Sequence, residues 1–190
     1  MIESALIVSR TDKSAAIFKD VLNSASINQI IFMQTCGEAR RILLEREFDL
    51  VVINAPLQDE SGENLSRYIA SKNIAQVILV VKNEFFDAVS AVCEADGVLT
   101  IAKPVSKTIL WSAISLVKSV HNRINKIQNE NEKLKQRIDD IRVTDRAKLI
   151  LITYMSMSEK EAHRYIEKQA MDLRTTKRAI AEGILKTYEN

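Results

Sequence analysis

From Leu110 to Ile141 the apolar residues recur three and four apart for more than four heptads, and this repeat limits what the rest of the chain can be. Placing Leu110, Val117, Ile124, Asn131 and Ile138 at a puts Ala113, Val120, Ile127, Leu134 and Ile141 at d, the seam that two supercoiled helices bury against each other. A long helix with so narrow an apolar stripe does not fit inside a globular core. It needs a partner, most simply a second copy of itself. Asn131 sharpens this, because an amide at an a position is best satisfied by the same residue on a parallel partner in register. Glu130 at g and Lys135 at the following e attract across such a dimer, whereas Arg137 and Arg142 in the equivalent pair repel. The spacing predicts a parallel homodimer, with an antiparallel hairpin inside one chain as the alternative.

Before this helix, short apolar runs alternate with amphipathic segments. Ala5 to Val8, Ile30 to Met33, Leu50 to Ile53, Val77 to Val81 and Val98 to Ile101 read as strands covered on both faces, because their apolar runs are nearly continuous. Helical patterns lie between them at about Ser14 to Asn23, Glu38 to Glu45, Glu63 to Ser71 and Phe86 to Glu94. Such alternation implies right-handed crossovers and a five-stranded parallel, doubly wound α/β sheet. The functional crevice of that architecture lies at the carboxyl ends of the strands. The residues to inspect are therefore Ser9 to Asp12, Asn54, those around Val81, and Lys103.

Asp49 to Gly62, reading DLVVINAPLQDESG, together with the pair Lys103-Pro104, resembles the receiver domain of bacterial response regulators over roughly the first hundred residues. That resemblance implies an acidic pair after the first strand and a phosphoryl-accepting aspartate after the third, which together hold Mg²⁺. Ser9 and Arg10 occupy the acidic-pair positions here, and Asn54 occupies the acceptor position. An amide is a poor nucleophile, and a hard cation would find too few anionic oxygens. Val81 stands where the resemblance implies a Thr or Ser, and Thr100 where it implies an aromatic; Lys103 alone keeps its identity. The region reads as a pseudo-receiver not switched by aspartyl phosphorylation, with Lys103 paired to a local acid or carbonyl. A sensor protein or a small ligand is the expected substitute signal.

Ser106 is placed to cap the helix that follows, and Trp111 is expected to pack at the junction of the receiver-like region and the stalk. After Ile141 the heptad phase fails and the apolar set moves to Leu149, Ile152 and Met155. Ser158 and Glu161 then form a capping box, and Ala162, Tyr165, Ile166 and Ala170 make one helical face. Thr175 or Thr176 caps a last helix. The organisation expected is residues 1–107 as pseudo-receiver, 108–142 as coiled-coil helix and 143–190 as a small three-helix domain.

Arg146, Ala147, Lys148 and Leu149, then Ser158, Glu159 and Ala162, then Ala170, Met171 and Arg174, and finally Ala181 carry, in that order, a resemblance to the ANTAR domain of transcription antitermination regulators. The layout looks like the amidase-operon type of that family. The resemblance implies binding to paired hairpin loops in nascent leader RNA, which prevents a terminator from forming. Splayed bases and phosphates suit Arg and Lys, with stacking from Tyr or His. The candidate contacts are Arg146, Lys148, Lys160, His163, Arg164, Lys168, Arg174, Lys177 and Arg178. From Asp145 onward nine Lys or Arg face seven Asp or Glu, a net of +2, so binding must rest on one basic face.

A DNA-binding regulator and a protein-interaction scaffold are the competing readings, though the tail has no recognition helix rich in Arg, Asn and Gln. Enzymatic activity is not expected, because no nucleophile, base and orienting group fall together. Cys36 and Cys93 have no close His or Cys companion, so they read as buried free thiols, with neither metal nor cofactor expected. The start MIESALIV has no basic region, and no run reaches the roughly 18 apolar residues of a membrane span. A cytoplasmic protein without a membrane partner is expected.

Overall fold

The computed structural model describes residues 2–188. Five strands, β1 (Ser4–Ser9), β2 (Gln29–Met33), β3 (Leu50–Asn54), β4 (Gln76–Lys82) and β5 (Leu99–Lys103), alternate with α1 (Asp12–Ser24), α2 (Cys36–Glu45), α3 (Glu63–Ser71) and α4 (Phe86–Glu94). A short 3₁₀ turn, Asn83–Phe85, precedes α4, and α5 (Lys107–Met155), α6 (Glu159–Asp172) and α7 (Lys177–Tyr188) complete the chain. The chain divides after Ile124, within α5, into two compact units.

In the first unit every strand pairing is parallel, in the order β2-β1-β3-β4-β5. Successive side chains on a strand point to opposite faces, and here both faces are dry. Ala5, Ile7, Leu50, Val52, Ile78 and Val80 meet α1 and the start of α5. Leu6, Val8, Val51, Ile53, Leu79 and Val81 meet the layer of α2, α3 and α4. Helix starts are fixed locally: Thr11 with Ser14, and Thr35 with Glu38, form reciprocal capping boxes on α1 and α2. Gly62 begins α3 at φ 86°, where an added Cβ would lie 2.8 Å from Ile53 Cγ2. Only glycine fits both demands.

The start of α5 departs from the coiled-coil expectation. Leu110, Ala113, Ile114 and Val117 are buried in the sheet's own core, so the seam positions Leu110 and Val117 are not available to a partner. A helix packed on a sheet and a helix in a coiled coil both repeat apolar residues three and four apart, which is why spacing alone merged them. The seam residues left exposed in the single chain are Val120, Ile124, Ile127, Leu134, Ile138 and Ile141, with Asn131 among them. Ser106 caps α5 as expected, its Oγ accepting from the Ile109 N–H at 3.2 Å. Trp111, expected to be core, is 45% exposed beside Lys107 and Asp20 in a surface groove between α1 and α5.

In the second unit the first of the three helices is the end of α5 itself, since neither Gly nor Pro interrupts it before Ser156, which turns at φ 52°. Ala147, Leu151, Ala162, Ile166 and Ala181 form the buried centre, flanked by Ile152, Tyr165, Ile180 and Ile184. One fully buried alanine from each helix lets the three backbones approach closely. Leu149 and Met155, expected in this core, are exposed instead, because the buried stripe passes through Val143, Ala147 and Leu151. The Ser158–Glu161 box starts α6, and Thr176 Oγ1 accepts from the Ala179 N–H to start α7. Among the described residues no helix is long and apolar enough to cross a membrane.

Candidate functional site

The crevice of the first unit holds a chain of neutral hydrogen bonds. Asn54 Nδ2 donates to Ser9 Oγ at 2.9 Å, Ser9 Oγ lies 2.7 Å from Ser14 Oγ, and Ser14 Oγ donates to the Thr11 carbonyl at 2.8 Å. Parallel pairing puts Ser9 beside Asn54, so the two residue types decide the chemistry at this point. Asn54 Oδ1 is buried without a donor. Arg10 is exposed, and Lys103 Nζ donates to the Ala55 carbonyl. Burial first, and the neighbouring Lys82 second, push the Lys103 ammonium below its usual pKa.

Nearby acids are engaged elsewhere. Asp12 pairs with Lys19. Asp59 accepts from the N–H groups of Cys36 and Gly37 at 3.0 Å each, at the start of α2, and Glu60 pairs with Arg40. Partial burial works to raise the Asp59 carboxyl, but these amides hold it below its usual range. Cys36, Asp59 and Glu60 come close enough to suggest a metal site. Burial, then Asp59 and Glu60, push the Cys36 thiol up to about 12, so it offers no thiolate at neutral pH.

The nine basic candidates of the second unit fall into distinct groups. A groove of about 480 Å³ between α5, α6 and α7 brings Lys148, His163, Lys177 and Arg178 together, yet Asp140 and Asp145 line it as well. Lys148 pairs with Asp145 at 2.8 Å and Glu159 at 3.0 Å, and its side chain is only 16% exposed. Those two acids raise its pKa, Asp145 first. Glu167 takes both His163 and Lys177. Arg178 meets Asp140 at 2.8 Å, Asp139 at 2.6 Å and Glu182 at 2.7 Å, and these acids push its pKa upward. These four residues act first as cross-links within their own unit.

Lys160, Arg164, Lys168 and Arg174 differ: each is exposed, and among the described residues none pairs with a carboxylate. Lys160, Arg164 and Lys168 follow one another four apart, on the side of α6 opposite the buried Ala162, Ile166 and Ala170. Met171, 78% exposed, lies on the same stripe; Leu173, 65% exposed, and Arg174, at φ 50°, follow in the turn after α6. Arg146 is exposed on α5. Sequence reasoning missed the exposed apolar pair. Met171 falls off the 162-166-170 buried face, and that periodicity was the available signal; Leu173 is in phase with that face and is exposed only because α6 ends at Asp172, which the periodicity does not announce.

Residues 132–185 match the ANTAR domain family. The chain is also 32% identical over 139 residues to the transcriptional regulatory protein PdtaR of Mycobacterium tuberculosis, a span covering 73% of this chain and 68% of that protein. The chain belongs to the ANTAR-domain family of transcriptional regulators. Solved receiver domains share the fold of its sheet unit. The response regulator receiver domain protein of Clostridium thermocellum is 19% identical with a TM-score of 0.56, covering 66% of this chain and 99% of its own. The signal receiver domain of an HD domain-containing protein from Pseudomonas fluorescens Pf-5 is also 19% identical at 0.56, covering 66% and 93%. As an ANTAR protein with a receiver fold, the chain is built for regulation, with the matched segment running from the exposed part of α5 through α6 and α7.

Proposed function

We propose that the chain is an RNA-binding transcription antiterminator that works as a homodimer and takes its signal without aspartyl phosphorylation. The observation that carries this reading is the stripe of Lys160, Arg164 and Lys168, unpaired by acids among the described residues, on the ANTAR-matched α6. Phosphates of a hairpin would meet this stripe and Arg174, and unstacked loop bases would pack on Met171 and Leu173. Lys148, His163, Lys177 and Arg178 hold the fold behind it. The neutral Ser9–Asn54 pair supports control other than phosphorylation, and the exposed apolar residues from Val120 to Ile141 support dimerisation. Such a protein works where transcripts are made, in the cytoplasm, by binding rather than turnover.

The test is fluorescence anisotropy of the full chain with a two-hairpin leader RNA and with duplex DNA. The RNA should bind far more tightly. Replacing Lys160, Arg164 and Lys168 with Ala should weaken binding and flatten its logarithmic salt dependence by about 2 to 3, one phosphate contact per residue. Tighter binding to duplex DNA would favour a DNA regulator, and binding to neither would favour a scaffold.

A further inference from the structure

Beside the neutral chain of Ser9, Ser14 and Asn54 the crevice stays open. A cavity of about 270 Å³ lies at the carboxyl ends of β3 and β4, on the functional edge of the sheet and one strand beyond the β1/β3 switch point. Leu79 and Val81, both buried, Ala55, Phe85 and Val89 make its apolar lining. Phe85 is 54% exposed, an aromatic ring left largely in water next to an apolar hollow. At the lower edge of ligand-pocket sizes, the cavity suits a small molecule.

The charges around it select the ligand's polar end. Lys82 lines the cavity, and strand pairing sets it beside Lys103. The Lys103 ammonium is partly buried, bonds only the carbonyl of Ala55, itself a cavity residue, and has no carboxylate partner among the described residues. Lys82 has one acid contact, Glu84 at 3.3 Å, and both side chains are more than half exposed, so that pair is easily exchanged. Buried cations are ordinarily paired. Ser9, Arg10 and Asn54 bring no negative charge into the crevice, so among the described residues the Lys103 ammonium meets no counter-charge. Glu63, also on the lining, adds one negative charge that would repel a second anionic group.

We propose that this cavity binds a small apolar monocarboxylate, its hydrocarbon body against Leu79, Val81 and Phe85 and its carboxylate toward Lys82 and Lys103. Plain short-chain acids and apolar α-amino acids share this chemistry; an α-ammonium group would additionally find Glu63. The site would give the receiver unit a chemical input, and its binding is read without RNA, so it stands or falls apart from the antiterminator reading.

Calorimetry and thermal unfolding of the full chain with hexanoate, leucine, hexanamide and inorganic phosphate test it. Hexanoate or leucine should bind saturably and raise the unfolding midpoint. Whichever binds more tightly identifies the source, and either order supports the site. Hexanamide and phosphate should bind at least about tenfold more weakly, since one lacks the charge and the other the apolar body. Lys82→Gln should weaken the carboxylate by about tenfold or more. Val89→Trp should fill the cavity and abolish binding, and the milder Phe85→Ala, at an exposed position, should weaken it with the fold intact. Absence of carboxylate binding, equal binding of hexanamide or phosphate, or binding unmoved by both Val89→Trp and Phe85→Ala would overturn the proposal.

Discussion

Asn54 holds Ser9 through Nδ2 while its Oδ1 stays buried without a donor, so an aspartate there would put a carboxylate beside a hydroxyl and no second acid. A magnesium ion is ordinarily held by one or two carboxylates together with substrate phosphates, and Ser9 and Arg10 supply no carboxylate. Incubation with acetyl phosphate and Mg²⁺ should therefore leave the intact mass unchanged in the natural protein and in Asn54→Asp alike. A phosphoryl adduct on the natural protein would remove the basis for phosphorylation-independent control, and one on Asn54→Asp alone would show that the amide at 54, rather than the missing acidic pair, is what blocks phosphorylation. This much of the site was legible in the sequence because it depends on residue identity at strand ends, and the strands themselves were plain. The basic face was legible only in part. Arg178 looks like any surface cation until the fold brings Asp139 and Asp140, 39 and 38 residues earlier, against it. Sequence has no local signal for such pairing, whereas Lys160, Arg164 and Lys168 share a helix face and are visible through its period.

Strands buried on both faces announce themselves as continuous apolar runs, which is why β1 to β5 were readable, and why the two-fold use of α5 was not. Its first turns serve the sheet and its middle stays exposed, though both carry the same spacing. This division makes a contrast measurable. Leu110→Ala should leave a cavity under the sheet and lower stability by about 2 to 5 kcal/mol in urea unfolding, without changing the oligomeric state. Ile127→Lys with Ile138→Lys should instead give a monomer by light scattering while the unfolding midpoint of the sheet unit holds, because charges would face the seam. A dimer surviving both lysines would move the interface elsewhere. The end of the chain answers to acid. Arg178 lowers the Asp140 pKa, the Ser158 N–H lowers Glu161, and Lys177 lowers Glu167. A carboxyl depressed in the folded state stabilises above its unfolded pKa and loses that contribution as pH falls through the folded one. The helical signal from α6 and α7 should thus melt at lower temperature below the ordinary carboxylate range than at pH 7, and Arg178→Ala should flatten that dependence. An Arg178→Ala profile parallel to the natural protein's would show that the cluster stores no such stability.

For the molecule as a whole, the proposed RNA reading depends on two ANTAR segments in one dimer, and this gives its most demanding test. A single α6 face carries three lysines and arginines in line and one more in the turn, enough for a few phosphate contacts and modest affinity at physiological salt. Once one segment holds its hairpin, a second hairpin on the same RNA is confined near the second segment, and the two affinities combine without new contacts. Two-hairpin RNA should then bind the natural dimer more tightly than one-hairpin RNA by on the order of 10²-fold. The Ile127→Lys, Ile138→Lys monomer should lose that advantage while retaining the one-hairpin affinity, since its stripe is untouched. The salt slope separates the cause: losing half the phosphate contacts should roughly halve it, whereas a misfolded ANTAR segment would depress the one-hairpin affinity as well. Anisotropy titrations of both proteins with both RNAs at several salt concentrations measure all of this. Equal affinities across the four pairings would mean that the dimer contributes nothing to recognition, and the exposed seam of α5 would need another explanation.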